Sequence, residues 1–447
     1  MKNRIRLSGI GLHLGLGFLV ISSLGCFDFG DTYTKLPPGP WRGVLKLDPE
    51  KSRALTTIHE TKVSDNITFD EVTEGDLPFN FNVVYDDPEN FHLEIHNGEE
   101  TIILDQVTLF KDRATNKDTL IIEVPPYDSY FKVVFEDNIL EGEWHVPSRG
   151  NYAVHFVARH GQNYRFTTLK KDPIADLTGK WEVTFGIDDT VPEPAIGYFE
   201  QDGNHLTGTF ETETGDYRYL EGTVQENKVY LSCFDGAHMF LFEALIQEDG
   251  TLSGVFRNGI HYLTSWQATR NADAMLRDPK AITTFRGENF EFSFPDENGK
   301  MVSLSDSSFQ GKPKLIQLLG TWCPNCVEET RFLKKFLSEN DPELIVIGLA
   351  FERYENPGKA KQAIARYRDK MDLSYPILHA GLSDKKEASR QLPMLNSISA
   401  FPTLIFLDKQ NKVKRIYTGF YGPATPGYED FIRDFNEGIA EINSNNL

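Results

Sequence analysis

The chain has 447 residues, enough for about three domains at one to two hundred residues each. It is 40% hydrophobic and 25% charged, with 32 Phe, 17 Tyr and 5 Trp, a composition that excludes wholesale disorder and collagen-like repeats. A formal charge of −20 leaves no basic stripe to neutralise phosphates, which argues against a nucleic-acid partner, and four cysteines are too few for a disulfide-stapled scaffold.

At the N-terminus Lys2, Arg4 and Arg6 precede an uncharged stretch, 7–25, rich in Leu, Ile, Gly, Phe and Val and followed by Cys26. That is the layout of a bacterial secretory signal. Its end, Ser23-Leu24-Gly25-Cys26, resembles a lipoprotein signal, in which the cysteine is lipidated and becomes the mature N-terminus; Ser23 and Leu24 stand in the reverse of the usual order. An uncleaved anchor and a cleaved soluble protein are the alternatives, and five glycines and His13 in the stretch weigh against a membrane span. Lipidation or anchoring puts the rest of the chain in the cell envelope, on a membrane, facing the periplasm or the exterior.

A tether without periodicity, 26–39, ends in Pro37-Pro38-Gly39. From 40 to 172 the chain reads as short alternating strands. Phe91-His92-Leu93-Glu94-Ile95-His96 alternates apolar and polar residues before Asn97-Gly98, a half-buried strand entering a hairpin turn. The same grammar returns at 176–270. Three segments repeat an acid and a turn residue followed by Leu-x-Gly-x-aromatic: Leu140-Gly142-Trp144, Leu206-Gly208-Phe210 and Leu252-Gly254-Phe256. Trp41 and Trp181 open the two halves. The expectation is two related antiparallel all-β domains, sandwiches or small barrels, with duplication or the shared needs of hairpins as the source of the repeat. His92, Glu94 and His96 share one strand face, opposite Phe91, Leu93 and Ile95. A solvated polar face over a buried apolar one explains them more simply than a metal. His145, His155 and His160 have no ligand spacing, and Cys233, alone in a strand, reads as an inert small hydrophobe.

A short helical connector is expected at 271–284, and from 285 to 447 strands and helices alternate. A hairpin lies around Asp296-Glu297-Asn298-Gly299. Lys314-Leu315-Ile316-Gln317-Leu318-Leu319 is a nearly continuous apolar run, as buried parallel strands are. Trp322-Cys323-Pro324-Asn325-Cys326 then opens a helix to about Ser338. A strand at 343–350, helices at 358–371 and 386–392, Phe401-Pro402-Thr403 before a strand at 404–407, a strand at 413–417 and a last helix at 428–442 complete the domain.

A Cys-x-x-Cys at a helix start has a physical logic. The first sulfur meets unpaired N–H groups and the helix dipole, which stabilise a thiolate. The second lies one turn on, within reach of a mixed disulfide on the first. Zinc is the rival use of the spacing, but it needs four ligands; Cys233 is single and His379 has no close companion, so no metal is expected.

Trp322-Cys323-x-x-Cys326 after a strand, with Phe401-Pro402-Thr403 before a later one, resembles the thioredoxin fold. The leading hairpin and the extra helical segment at 350–382 resemble the membrane-attached TlpA/ResA-like thiol–disulfide oxidoreductases. The resemblance covers about 285–447. It implies that Cys323 is the exposed nucleophile and Cys326 the resolving thiol. Pro402 is then the cis-proline facing them, with Trp322, Pro324, Asn325 and Phe401 as neighbours. Glu329, three residues after Cys326, matches the helix acid such proteins use; an ordinary first-turn glutamate is the alternative. Gln317 stands six residues before Cys323, where thioredoxins carry a buried aspartate, so Glu329 is the better proton acceptor. No cofactor is implied beyond the redox-active Cys323–Cys326 pair.

The expected activity is reduction of protein disulfides, with a membrane electron donor of the thiol–disulfide type restoring the dithiol. Pro324 directly after the first cysteine also occurs in oxidising relatives of the fold, so an oxidase or isomerase stays open. A peroxidase fits less well, because Gly320 stands where peroxiredoxins carry Thr. A surface ligand-binding lipoprotein, with the thioredoxin-like domain as scaffold, is the reading from another class.

Overall fold

In the computed structural model residues 35–48, 72–340 and 343–444 are described. The signal-like segment and Cys26 lie outside the described residues. Among the described residues no helix is long and apolar enough to cross a membrane.

The first unit is a nine-stranded antiparallel sheet built as two meanders. Gly39–Lys46, Asp76–Tyr85, Phe91–Asn97 and Glu100–Leu104 form one. Val107–Lys111, Asp118–Glu123, Tyr130–Glu136, Ile139–Val146 and Tyr152–His160 form the other. The first and last strands pair, with Trp41 opposite His160, but Glu100–Leu104 and Val107–Lys111 do not pair, so the sheet curls without closing.

The second unit closes. Eight strands from Gly179–Phe185 to Tyr262–Arg270 run up and down, each paired to the next. The ring shuts where Trp181 stands opposite Arg270. A two-residue strand, Gly215–Asp216, branches from His205–Thr212. Closure removes the edge strands that an open sheet exposes. Both units place the tryptophan of their first strand in the core, its indole N–H donating to a carbonyl four residues upstream: Trp41 to Pro37 at 3.1 Å, Trp181 to Leu177 at 2.9 Å.

The repeated Leu-x-Gly-x-aromatic acquires a steric reason here. Leu140, Leu206 and Leu252 and the aromatics Trp144, Phe210 and Phe256 are all buried. A Cβ on the intervening glycine would lie 2.1 Å from the Lys132 carbonyl oxygen at Gly142 and 2.0 Å from that of Glu243 at Gly254. The neighbouring strand passes where a side chain would be, and glycine alone admits it.

The expected helical connector is mostly irregular, with a single 3₁₀ turn at Pro279–Ala281. Pro279 presets the first turn but lies beside chain that makes no further helical hydrogen bonds. Beyond it, Ser293–Pro295 and Met301–Ser303 make the expected hairpin. A five-stranded sheet follows, ordered Ile377–Leu382, Ile345–Glu352, Lys314–Leu319, Thr403–Leu407, Val413–Thr418. The first three strands are parallel and the last two antiparallel to their neighbours. Every residue of Lys314–Leu319 is buried, because helices Pro324–Glu339, Pro357–Met371, Lys385–Gln391 and Gly427–Asn443 surround this central strand and its sheet. The fold is therefore α/β of the thioredoxin type behind two all-β units.

Candidate active site

The strand Lys314–Leu319 ends at the turn that delivers Cys323. Cys323 caps the helix Pro324–Glu339 from extended backbone, and its sulfur accepts a hydrogen bond from the Cys326 N–H at 3.3 Å. Pro324 takes the first helical position, where its missing N–H costs nothing. Across from it the Phe401–Pro402 bond is cis, and the Cys323 thiol lies 3.5 Å from the Phe401 carbonyl oxygen. Both cysteines are free thiols. The structure thus joins Trp322, Cys323, Cys326, Phe401 and Pro402 in one place.

The turn before Cys323 is fixed from below. Glu352, buried at the end of the neighbouring strand, accepts from the Thr321 N–H at 3.1 Å and from its hydroxyl at 2.8 Å. Burial pushes its carboxyl up to about 7. The Trp322 indole donates to the Phe351 carbonyl at 3.0 Å, its ring meets Phe401 edge-on, and the Arg353 guanidinium lies 4.0 Å above it. Glu352 and Arg353 were not singled out from sequence; the only available signal was a glutamate ending an otherwise apolar strand.

Glu329 is fully buried, not a surface first-turn glutamate. Its Oε2 accepts from Gln317 Nε2 at 2.8 Å, while Oε1 has no hydrogen-bond partner. Gln317 in turn accepts from the Thr330 hydroxyl at 3.1 Å, and Thr330 from Tyr367 at 2.9 Å. Desolvation drives the Glu329 carboxyl up to about 8 despite the Gln317 bond. Cys326 is buried as well, and burial, with the neighbouring Cys323 sulfur and Glu329 adding to it, holds its thiol well above the ordinary range. An acid and a thiol, both biased toward their protonated forms, therefore lie on one buried helix face, as their spacing of three residues requires.

One expectation is corrected. Cys323 is only 6% exposed, not an open nucleophile. The β-units pack over it. Tyr127, from the first unit, packs against the apolar cluster that contains both cysteines, and Tyr354 hydrogen-bonds Asp128 beside it. From the barrel, Asp216 reaches the dithiol helix: its carbonyl accepts from Asn325 Nδ2 at 3.2 Å. These residues carry no periodic or motif signal, and sequence reading missed them.

The histidines and carboxylates of the first unit pair among themselves. His92 Nδ1 lies 3.0 Å from Asp86 and His96 Nε2 3.1 Å from Asn82. Among the described residues no group of three or more His, Cys, Asp or Glu side chains is arranged to hold a metal. Cys233 is buried in the barrel wall, and burial raises its thiol well above the ordinary range.

Comparison with known proteins agrees with this geometry. The Redoxin family matches residues 283–432. The thioredoxin-like protein YneN of Bacillus subtilis (strain 168) is 28% identical over 129 residues, 29% of this chain and 68% of YneN. The thiol–disulfide oxidoreductase ResA of the same organism is 24% identical over 131 residues, 29% of this chain and 64% of ResA. The chain thus spans about two thirds of the length of the curated relatives it matches. A solved thiol–disulfide oxidoreductase from Bacteroides fragilis NCTC 9343 is 22% identical with a TM-score of 0.24, covering 33% of this chain and 99% of that one. A DsbF homologue from Corynebacterium diphtheriae is 19% identical with a TM-score of 0.28, covering 37% and 98%. The last third of the chain is a redoxin domain of thioredoxin fold, the domain of thiol–disulfide oxidoreductases.

Proposed function

We propose that the chain, its residues 283–432 being a redoxin domain, is an extracytoplasmic thiol–disulfide oxidoreductase that reduces protein disulfides through Cys323 and Cys326. The observation that carries this reading is the free dithiol at a helix start, set against cis-Pro402 with a buried, proton-holding Glu329 one turn on. The Cys323 thiolate attacks one sulfur of a substrate disulfide. A bond forms from Cys323 Sγ to that sulfur, the substrate S–S bond breaks, and the leaving thiolate takes a proton. Cys326 then gives up its proton, for which the Glu329 carboxylate is the acceptor, and its sulfur attacks Cys323 Sγ. The mixed disulfide breaks, a Cys323–Cys326 disulfide forms, and the second substrate thiolate is released and protonated. Two electrons pass to the substrate, and an external dithiol returns them.

Burial lifts the Glu329 carboxyl to about 8 and lifts the Cys326 thiol as well, so the ionised fraction of Glu329 near neutral pH is the base that takes the thiol proton. A buried thiol does not ionise unaided near neutral pH, and a base that titrates close to working pH removes its proton most effectively. Lipidation at Cys26 fits the same reading, tethering the domain to the envelope membrane where a membrane-bound thiol donor operates. The test is reduction of a disulfide substrate by the full chain. Cys323→Ser is expected to abolish turnover, and wild-type rates in that variant would overturn the assignment.

A further inference from the structure

The barrel does more than lie near the dithiol. Residues 211–218 cross the redoxin domain on the face shared by Asn325 and the loop after the last strand. At Gly419 a Cβ would lie 2.8 Å from the Thr214 carbonyl carbon, and at Gly215 one would lie 2.4 Å from Asn325 Nδ2, so backbone meets the site with no side chain between. Polar contacts fasten the segment along its length. The Tyr421 hydroxyl donates to the Thr212 carbonyl at 2.9 Å, and the Gly427 N–H to Glu211 Oε1 at 2.9 Å. The Gly422 N–H donates to the Asp216 carboxylate, and Asn325 to the Asp216 carbonyl. The loop it covers is continuous with the cis-proline, since the Gly419 N–H donates to the Pro402 carbonyl at 2.9 Å.

Arg218 closes this segment. Its side chain is 4% exposed and faces one carboxylate from each folded unit: Glu100 of the open sheet, Asp235 of the barrel at 3.9 Å, and Glu328 of the dithiol helix at 3.2 Å. Nε and Nη1 are buried without a hydrogen-bond partner. A buried ion cluster with unsatisfied donors is a junction that specifies an arrangement more than it stabilises one. Hydrogen bonds and ion pairs fasten this segment to the redoxin domain, the kind of contact found where domains can separate.

We infer that residues 211–218 are a built-in occupant of the surface where an extended, disulfide-bearing polypeptide docks beside Cys323, and that Arg218 latches them there. Protein disulfides reach Cys323 only when the segment leaves. The inference rests on the dithiol reading above for the identity of the partner, but the occlusion itself is independent of turnover.

The experiment labels the reduced full chain with iodoacetamide and, separately, with a maleimide carried on a long polyethylene glycol, quantifying the product at Cys323 by peptide mass spectrometry. Glutathione gives the size effect for an open thiol. Two variants weaken the latch from the redoxin side: Glu328→Lys, and the conservative pair Glu328→Gln with Tyr421→Phe, which leaves packing intact if the first fails to fold. The wild type is expected to discriminate against the bulky reagent far more than glutathione does. Each folded variant is expected to raise the bulky-reagent rate by about tenfold or more, the effect of losing one buried ion pair. A wild-type size effect equal to that of glutathione, or an unchanged bulky-reagent rate in the variants, would overturn the inference. Reduction of hydroxyethyl disulfide, measured in parallel, separates the two readings: its absence together with latch-dependent labelling would sink the redox assignment and leave the docking intact.

Discussion

Replacing Glu329 by Gln removes one ionisable group from a fully buried position and keeps its shape. The Glu329 carboxyl titrates at about 8 in the folded chain, against an ordinary value of 4.5. The folded state therefore holds a proton that the unfolded state releases, and stability falls as pH rises between those two values. Linkage at about 1.4 kcal/mol per pH unit makes that loss roughly 3 kcal/mol between about pH 5 and pH 8. Glu352 and Asp216, each pushed by burial to about 7, add slopes of the same sign, but in both proteins alike. The difference between variant and wild type isolates Glu329. The assay is urea unfolding of the reduced full chain at the two pH values. The transition of the redoxin domain is followed through Trp322, with the four tryptophans of the β-units replaced by phenylalanine in both proteins. The variant is expected to lose about 3 kcal/mol less than the wild type on going from pH 5 to pH 8, while its disulfide-reduction rate drops because Cys326 has no proton acceptor. Equal pH slopes in the two proteins would refute the burial-driven shift and, with it, the proton-holding role.

Two further outcomes follow from the same geometry. Cys326→Ser leaves Cys323 able to attack but nothing to resolve the adduct, so a stable mixed disulfide with substrate is expected in non-reducing mass spectra; free product at wild-type rate would assign resolution elsewhere. Gly254→Ala puts a methyl group 2.0 Å from the Glu243 carbonyl oxygen, a backbone atom that cannot swing aside, and a loss of about 1–3 kcal/mol is expected in barrel stability by calorimetry. An unchanged barrel transition would show that this strand approach relaxes freely.

The redoxin domain was legible because its signals are local. A continuous apolar run marks the central strand, a Cys-x-x-Cys marks a helix start, and Phe401-Pro402-Thr403 marks the loop opposite. The all-β units were legible as alternation and repeat, but not the difference between them: closure of the second and the open seam of the first depend on whether two distant strands pair. Glu329 could be placed on the dithiol helix by spacing alone, yet its burial depends on Gln317 and on helices far along the chain. The roof over Cys323 was not legible at all. Arg218 meets Glu100 and Glu328 across more than a hundred residues on either side, and an isolated arginine in a loop between two short strands looks like any solvated one. Asp216, in a two-residue strand, and Tyr127, in a bend, are likewise ordinary residues until the units dock. The connector failed as a helix because Asp278-Pro279 starts a turn that the following residues do not continue.

The most direct test of the whole account is the reduction potential of the Cys323–Cys326 couple, equilibrated against a thiol redox buffer and read by trapping the two forms. A reductase fed by a thiol donor requires a value near roughly −250 mV, in the thioredoxin range, and that is the expected result. A value near about −120 mV would make the pair a disulfide donor and reverse the direction of electron flow proposed here.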